Sequence, residues 1–294
     1  MKSNMKKTKI LISLIILTFM TFFLISRGYA ETKTFNMVFV PASEKDDAKD
    51  FASLIKIVEK NTGFKIKFIK VTDYNAAVEA MRANRAQLAW YGASTYIKAA
   101  EIAGAEAFAA GVKPGQKDGS YLAYFVVRKD SSIKKFSDIK GKVLSLNHIG
   151  STSGDLVPQV ELKKINLSVH DKTSFKNVFY AGSHDACLLS VINKKSDVCG
   201  MSSLNFDARL KDKTFKEDQV RIIHKSDPVP PAPLAYSSKL SIQDKEKIKK
   251  AVLSAHKYGE IGGYGGKMSH YMSVKDSDYN ILRDVAKLLK KNKS

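Results

Sequence analysis

Three consecutive hydroxyl side chains, Ser151, Thr152 and Ser153, stand between a short apolar run, Val143–Leu146, and a helical pattern that continues to Lys164. The leading N–H groups of a helix have no partner within it, and the helix dipole favours negative charge there. Gly150 and Gly154 flank the run and allow the backbone to come close to a ligand. Three hydroxyls with free amides suit a tetrahedral oxyanion; an ordinary Ser or Thr helix cap is the competing reading. No Gly-Lys-Ser/Thr follows, so this is not a nucleotide-binding loop of the Walker type. A second run, Ala181-Gly-Ser-His184-Asp185, opens another helix after a strand over 175–180. His184 there could donate to an oxyanion, although a lone His–Asp pair is also ordinary surface structure. Tyr74 and Tyr91 stand at the carboxyl ends of two earlier strands, where each could present a phenol or simply pack. The chain has no Gly-x-Ser-x-Gly elbow and no His-x-x-x-His pair. We therefore expect no catalytic residue, no metal, no cofactor and no enzyme activity.

The elements that must position these residues alternate between strand and helix. Phe35–Val40 and Phe64–Val71 read as strands, with helical patterns following through Lys60 and from Asp73. A third strand over 87–91 leads to a helix ending near Ala103. A second set follows, with strands at 121–128, 143–146, 175–180 and 197–201. Asp227–Pro233 is a stiff extended crossing, and 234–237 can return as a strand to the first set. Helices over 241–258 and 277–291 close the chain. The fold class expected is α/β, with two lobes, a hinge at 121–128 and 227–237, and a cleft between the lobes. Residues 31–124 begin the first lobe, 125–231 form the second, and 232–294 return to the first. Ligands of such sheets bind beyond the carboxyl ends of the strands, which is where the hydroxyl run falls.

The chain has 294 residues and a formal net charge of +20, from 49 basic and 29 acidic side chains. Lys2, Lys6, Lys7 and Lys9 precede an uncharged stretch, Ile10–Ile25, and the small residues Gly28 and Ala30 follow. This order is that of a secretory signal peptide over residues 1–30, cut after Ala30. Those residues carry five basic groups and no acid, so the remainder is still +15. Its lysines are scattered rather than striped with aromatics, which argues against nucleic acid as a partner. Cys187 lies in an apolar helical run and Cys199 in a strand; two buried free thiols are expected, though export would permit a disulfide.

Taken together, several runs resemble the periplasmic phosphonate-binding proteins of ABC importers, the PhnD-like phosphate, phosphite and phosphonate substrate-binding family. They are Asp73-Tyr74, Leu88-Ala-Trp-Tyr-Gly92, Lys129-Asp-Ser-Ser-Ile133 with Asp138-Ile-Lys-Gly-Lys142, Ser151-Thr-Ser-Gly154 with Leu156-Val-Pro158, and Gly182-Ser-His-Asp-Ala186. The resemblance implies a type II periplasmic-binding fold. It also implies that Ser151, Thr152 and Ser153 hold the anion, with Tyr74, Tyr91 and His184 completing the shell. The partners implied are a small anionic ligand and an inner-membrane permease and ATPase, with the protein itself in the periplasm. A sensory binding protein serving a membrane kinase or chemoreceptor is the alternative. Members that take aminoalkylphosphonates hold the amine with carboxylates; the matching positions here fall near Leu204 and Ala232, which carry no charge. Asp155 also stands where the family has an aromatic or apolar residue. A small oxyanion without an amine, such as phosphite, methylphosphonate or phosphate, is therefore the ligand expected.

Overall fold

Alternating apolar residues form two separate sheets. In the computed structural model, which describes residues 32–44 and 47–291, the first sheet is built mostly from the early part of the chain. Its elements are β1 (Thr34–Phe39), α1 (Asp47–Asp50), α2 (Ala52–Thr62), β2 (Lys65–Ile69), α3 (Tyr74–Arg82), β3 (Leu88–Trp90), α4 (Ala93–Ala103) and β4 (Ala105–Val112). The second sheet follows with β5 (Ala123–Arg128), β6 (Val143–Leu146), α5 (Val157–Lys164), β7 (Asn177–Tyr180), α6 (His184–Ile192), β8 (Val198–Ser202), α7 (Ser203–Lys211) and β9 (Val220–Lys225). The chain then returns through β10 (Pro233–Ser237), α8 (Ile242–Ser254), the hairpin β11 (Ile261–Gly263) and β12 (Gly266–Met268), β13 (His270–Ser273) and α9 (Asn280–Lys291). The signal peptide expected over residues 1–30 lies outside the described residues. Among the described residues no helix is long and apolar enough to cross a membrane.

The first sheet has the order β13-β4-β10-β3-β1-β2 and the second β7-β6-β8-β5-β9. β1 pairs in parallel with β2 and β3, and β6 in parallel with β7 and β8. β10 runs antiparallel to both β3 and β4, which places the returning chain inside the first sheet. The two crossings between sheets touch each other at a single bridge, Tyr121 with Val229. Two lobes joined by paired crossings form the architecture expected from the sequence.

The period-two pattern of β5 shows how the second lobe is packed. Tyr124 and Val126 face one cluster with Leu188, Met201 and Phe206. Phe125 and Val127 face another with Leu144, Leu146 and Leu162. The first lobe instead has one large cluster that runs from Phe35 to Leu282.

The cysteines correct the expectation of free thiols. Cys187 in α6 and Cys199 in β8 form a disulfide, with Cα atoms 5.6 Å apart, inside the range that a disulfide spans. Sequence patterning also missed β4, β9, β13, α7 and the β11–β12 hairpin. Ala105–Val112 is rich in small residues and takes its strand character from a partner far along the chain, whereas the glycine-rich run over 261–266 pairs locally as a hairpin.

Candidate functional site

The hydroxyl run begins where β6 ends. Ser151 caps the following turn: its Oγ accepts the N–H of Gly154 at 3.2 Å. The turn at Thr152–Leu156 is π-helical, and α5 continues from it with Pro158 in its first turn. A wide first turn of this kind is rare and recurs at functional sites. Gly154 is required by close approach, since a Cβ there would lie 2.3 Å from the Cβ of Asn147. Asp155 is buried and holds the loop from beneath. It accepts from the N–H of Gly150 at 2.9 Å, from Gln159 Nε2 at 2.6 Å and from the Tyr180 hydroxyl at 2.7 Å. The acid that looked out of place in the sequence is thus fully partnered inside the second lobe.

A pocket of about 310 Å³, counting its open mouth, lies between the lobes. The structure brings Tyr74, Ser151, Thr152, Ser153 and His184 together in its lining. Tyr91, the remaining expected site residue, is not among them. Its ring is fully buried and its hydroxyl donates to the carbonyl of Ala77 at 3.2 Å. The reason is strand alternation: Trp90 faces the pocket, so its neighbour faces away.

Sequence reasoning did not single out Tyr121, Ser202 or Tyr264, which also line the pocket. Tyr121 comes from the first crossing and Tyr264 from the β11–β12 turn, where no motif marks them. Burial pushes the Tyr121 pKa up, against the neighbouring hydroxyls of Ser153 and Thr152. Leu204 and Ala232 also line the pocket. Among its described lining residues there is no Asp, Glu, Lys or Arg.

His184 is fully enclosed, and burial drives its pKa down to about 3 despite the charge of Asp185. The ring is therefore neutral at physiological pH. Its Nδ1 accepts the N–H of Ser202 at 3.3 Å, and its Nε2 lies 3.1 Å from the amide of Asn147. With Nδ1 accepting, Nε2 carries the ring proton, so the neutral ring is a dipole oriented by the N–H of Ser202. Asp185 points elsewhere, into a buried ion pair with Arg209 at 2.8 Å.

Contacts join the lobes around the pocket. The N–H of Ser94, at the start of α4, donates to Thr152 Oγ1 at 2.9 Å, and Thr95 Oγ1 donates to the carbonyl of Gly150 at 3.0 Å. Asn147 Nδ2 donates to the Tyr74 hydroxyl at 3.1 Å, and the Tyr74 ring stacks on His148 with centroids 5.0 Å apart. The starts of α3, α4, α6 and the 152–156 turn all converge here, so four helix N-termini surround one uncharged pocket. Such a cage can hold an anion with dipoles alone.

Known proteins resemble this chain in sequence and fold. The family model described as ABC transporter, phosphonate, periplasmic substrate-binding protein matches residues 37–279. The phosphonates-binding periplasmic protein of Escherichia coli (strain K12) is 30% identical over 233 residues, covering 76% of this chain and 68% of that one. The phosphate-import protein PhnD of Mycolicibacterium smegmatis is 30% identical over 233 residues, covering 76% and 72% respectively. In fold, the chain is similar to PhnD1 from Prochlorococcus marinus, solved in complex with methylphosphonate. The TM-score is 0.77 at 18% identity, over 88% of this chain and 99% of that one.

Proposed function

The chain belongs to the phosphonate-binding family of periplasmic substrate-binding proteins of ABC transporters, and on that premise we propose that it captures a small phosphorus oxyanion that carries no amine. The observation that supports this most is the pocket lining: hydroxyls and helix N-termini, with no charged side chain among the described residues. Ser151, Thr152 and Ser153 grip the oxygens, while Tyr74 and Tyr121 reach in as phenols. His184 holds the floor of the site in one neutral form. Each hydrogen bond to a charged ligand contributes roughly 1.5–3 kcal/mol, so a few such donors suffice for tight capture.

A buried ammonium would find no carboxylate at Leu204 or Ala232. Leaving it unpaired costs several kcal/mol, more than a few added van der Waals contacts return. Phosphite, methylphosphonate and phosphate are the ligands of this class. In our reading the lobes, residues 31–124 with 232–294 and residues 125–231, hinge near 121–128 and 227–237 and close on the ligand. The mature chain begins after Ala30, and the loaded form delivers its ligand to an inner-membrane permease and its ATPase.

A thermal-shift screen over small oxyanions tests the reading. A ligand at one hundred times its Kd adds about 2.7 kcal/mol of stability. Competition should rank methylphosphonate or phosphite above 2-aminoethylphosphonate. Tightest binding of the aminated ligand would overturn the selectivity, and no shift with any phosphorus oxyanion would overturn the function.

A further inference from the structure

Lys113 follows β4 in the first lobe and is half-buried. Its Nζ donates to the carbonyl of Gly265 at 2.6 Å, and the N–H of the same glycine donates to Asp50 Oδ2 at 3.2 Å. Opposite charges thus grip both polar groups of one residue at the tip of the β11–β12 turn. That residue has φ +76°, and a Cβ on it would sit 2.9 Å from Lys113 Nζ and 3.2 Å from the carbonyl oxygen of Leu204 in the second lobe. Glycine is therefore needed for both its conformation and its closeness to the other lobe. The preceding residue, Tyr264, lines the pocket and packs on Trp90 with ring centroids 4.6 Å apart. The turn that Lys113 anchors is thus a piece of the pocket wall, set close against Leu204.

One turn further along α7 stands Asp207. Burial pushes the Lys113 pKa down, and Asp207 is the strongest charge opposing this, ahead of Asp50; Lys211 acts the other way. Asp207 keeps contact with solvent, yet desolvation pushes its pKa up, against Lys113 first and Lys225 second. Each is the other's leading charge partner, and they belong to different lobes. Their charges attract without a direct ion pair among the described residues, so the attraction depends on how closely the lobes approach.

We propose that Lys113 is a positioning residue for ligand capture: anchored on Gly265 and drawn toward Asp207, it clasps the lobes and seats the Tyr264 turn against Leu204 as the end wall of the pocket. The clasp shifts the open–closed balance toward the closed form before any ligand arrives, which raises apparent affinity by raising the competent fraction. Its effect on ligand affinity rests on the function proposed above, whereas its effect on the ligand-free lobes does not.

The test uses Trp90, the single tryptophan of the chain and part of the same wall. Acrylamide quenching of its fluorescence in the ligand-free protein should rise in Lys113→Met and in Asp207→Asn, and stay at the wild-type level in Lys113→Arg. Methylphosphonate affinity should fall about three- to tenfold in each of the first two variants. The double variant should lose no more than Lys113→Met alone, because the attraction to Asp207 is already gone in that background. Equal melting temperatures for Asp207→Asn and wild type would exclude a folding defect in that variant. Unchanged quenching in Asp207→Asn, additive losses in the double variant, or no rescue by arginine would each overturn the clasp. Quenching that behaves as described in a protein that binds no methylphosphonate would leave the clasp standing and remove the ligand assignment instead.

Discussion

On the second lobe the pocket is faced by Ser151, Thr152, Ser153, His184, Ser202 and Leu204; on the first it is faced mainly by Val40, Ala42, Trp90 and Tyr264, with Tyr74 reaching in as a phenol. The interiors differ in the same sense. The first lobe is one continuous apolar cluster, whereas the second is split into two smaller clusters by its sheet and carries the disulfide between α6 and β8. The lobe that supplies most of the hydrogen-bonding side chains is thus the one with the smaller cores and a covalent staple. Dipoles that hold an anion must stay where they are, because reorganising them on binding would cost much of what they contribute. Aromatic side chains on the opposite lobe need only exclude water and match shape. Grip and enclosure fall largely on different lobes, and the pocket between them brings the two together.

Removing the staple should produce the largest change and should leave the division intact. The disulfide joins positions twelve apart in sequence, and losing a loop of that size costs about 3 kcal/mol. A Cys187→Ala, Cys199→Ala double variant should therefore unfold at lower denaturant, with methylphosphonate affinity within about twofold of wild type. A parallel fall in affinity would show that the staple holds the grip itself.

Next in size is the grip. Thr152→Val removes a hydroxyl that lines the pocket and also accepts the N–H of Ser94 from the other lobe. Calorimetry should show binding weakened about tenfold or more, which corresponds to at least about 1.4 kcal/mol. Trp90→Phe keeps an aromatic surface and should cost less than about threefold. Equal losses from the two substitutions would break the contrast between the walls.

The smallest effect, per unit of pH, concerns His184. Its folded pKa of about 3 lies below the ordinary value of 6.5. Below pH 6.5 the unfolded chain takes up a proton that the native ring refuses. Stability is thus complete above pH 6.5 and falls as the pH drops toward 3, by at most about 1.4 kcal/mol per unit. Chemical denaturation across this window should show a shallower slope in His184→Gln. The same slope in both proteins would mean that the native ring takes up its proton near the ordinary pH, contrary to a fixed neutral dipole.

The site was partly legible because some of its logic is local. Ser151-Thr-Ser-Gly154 sits between a strand and a helix within a dozen residues, and helix N-termini attract anions wherever they occur. Tyr74 was legible for the same reason, since Asp73 caps its helix by accepting the N–H of Ala76 at 2.8 Å. Tyr91 misled because a one-residue step along a strand reverses the direction of the side chain, and the sequence does not say which of Trp90 and Tyr91 faces the cleft. Tyr264 and Tyr121 were invisible because a hairpin tip and a crossing segment become walls only once distant strands have paired.

The sequence by itself determined the α/β alternation and pointed to two lobes and to a hydroxyl run at a helix start, since periodicity and helix-start residues act over a few neighbouring positions. Only the tertiary structure decided that Cys187 reaches Cys199, that Asp155 is satisfied by Gly150, Gln159 and Tyr180, and that Lys113 meets a turn 152 residues away. The first kind of information lies in the order of side chains along the backbone. The second lies in distances that close only when the core packs, and no spacing along the chain encodes them.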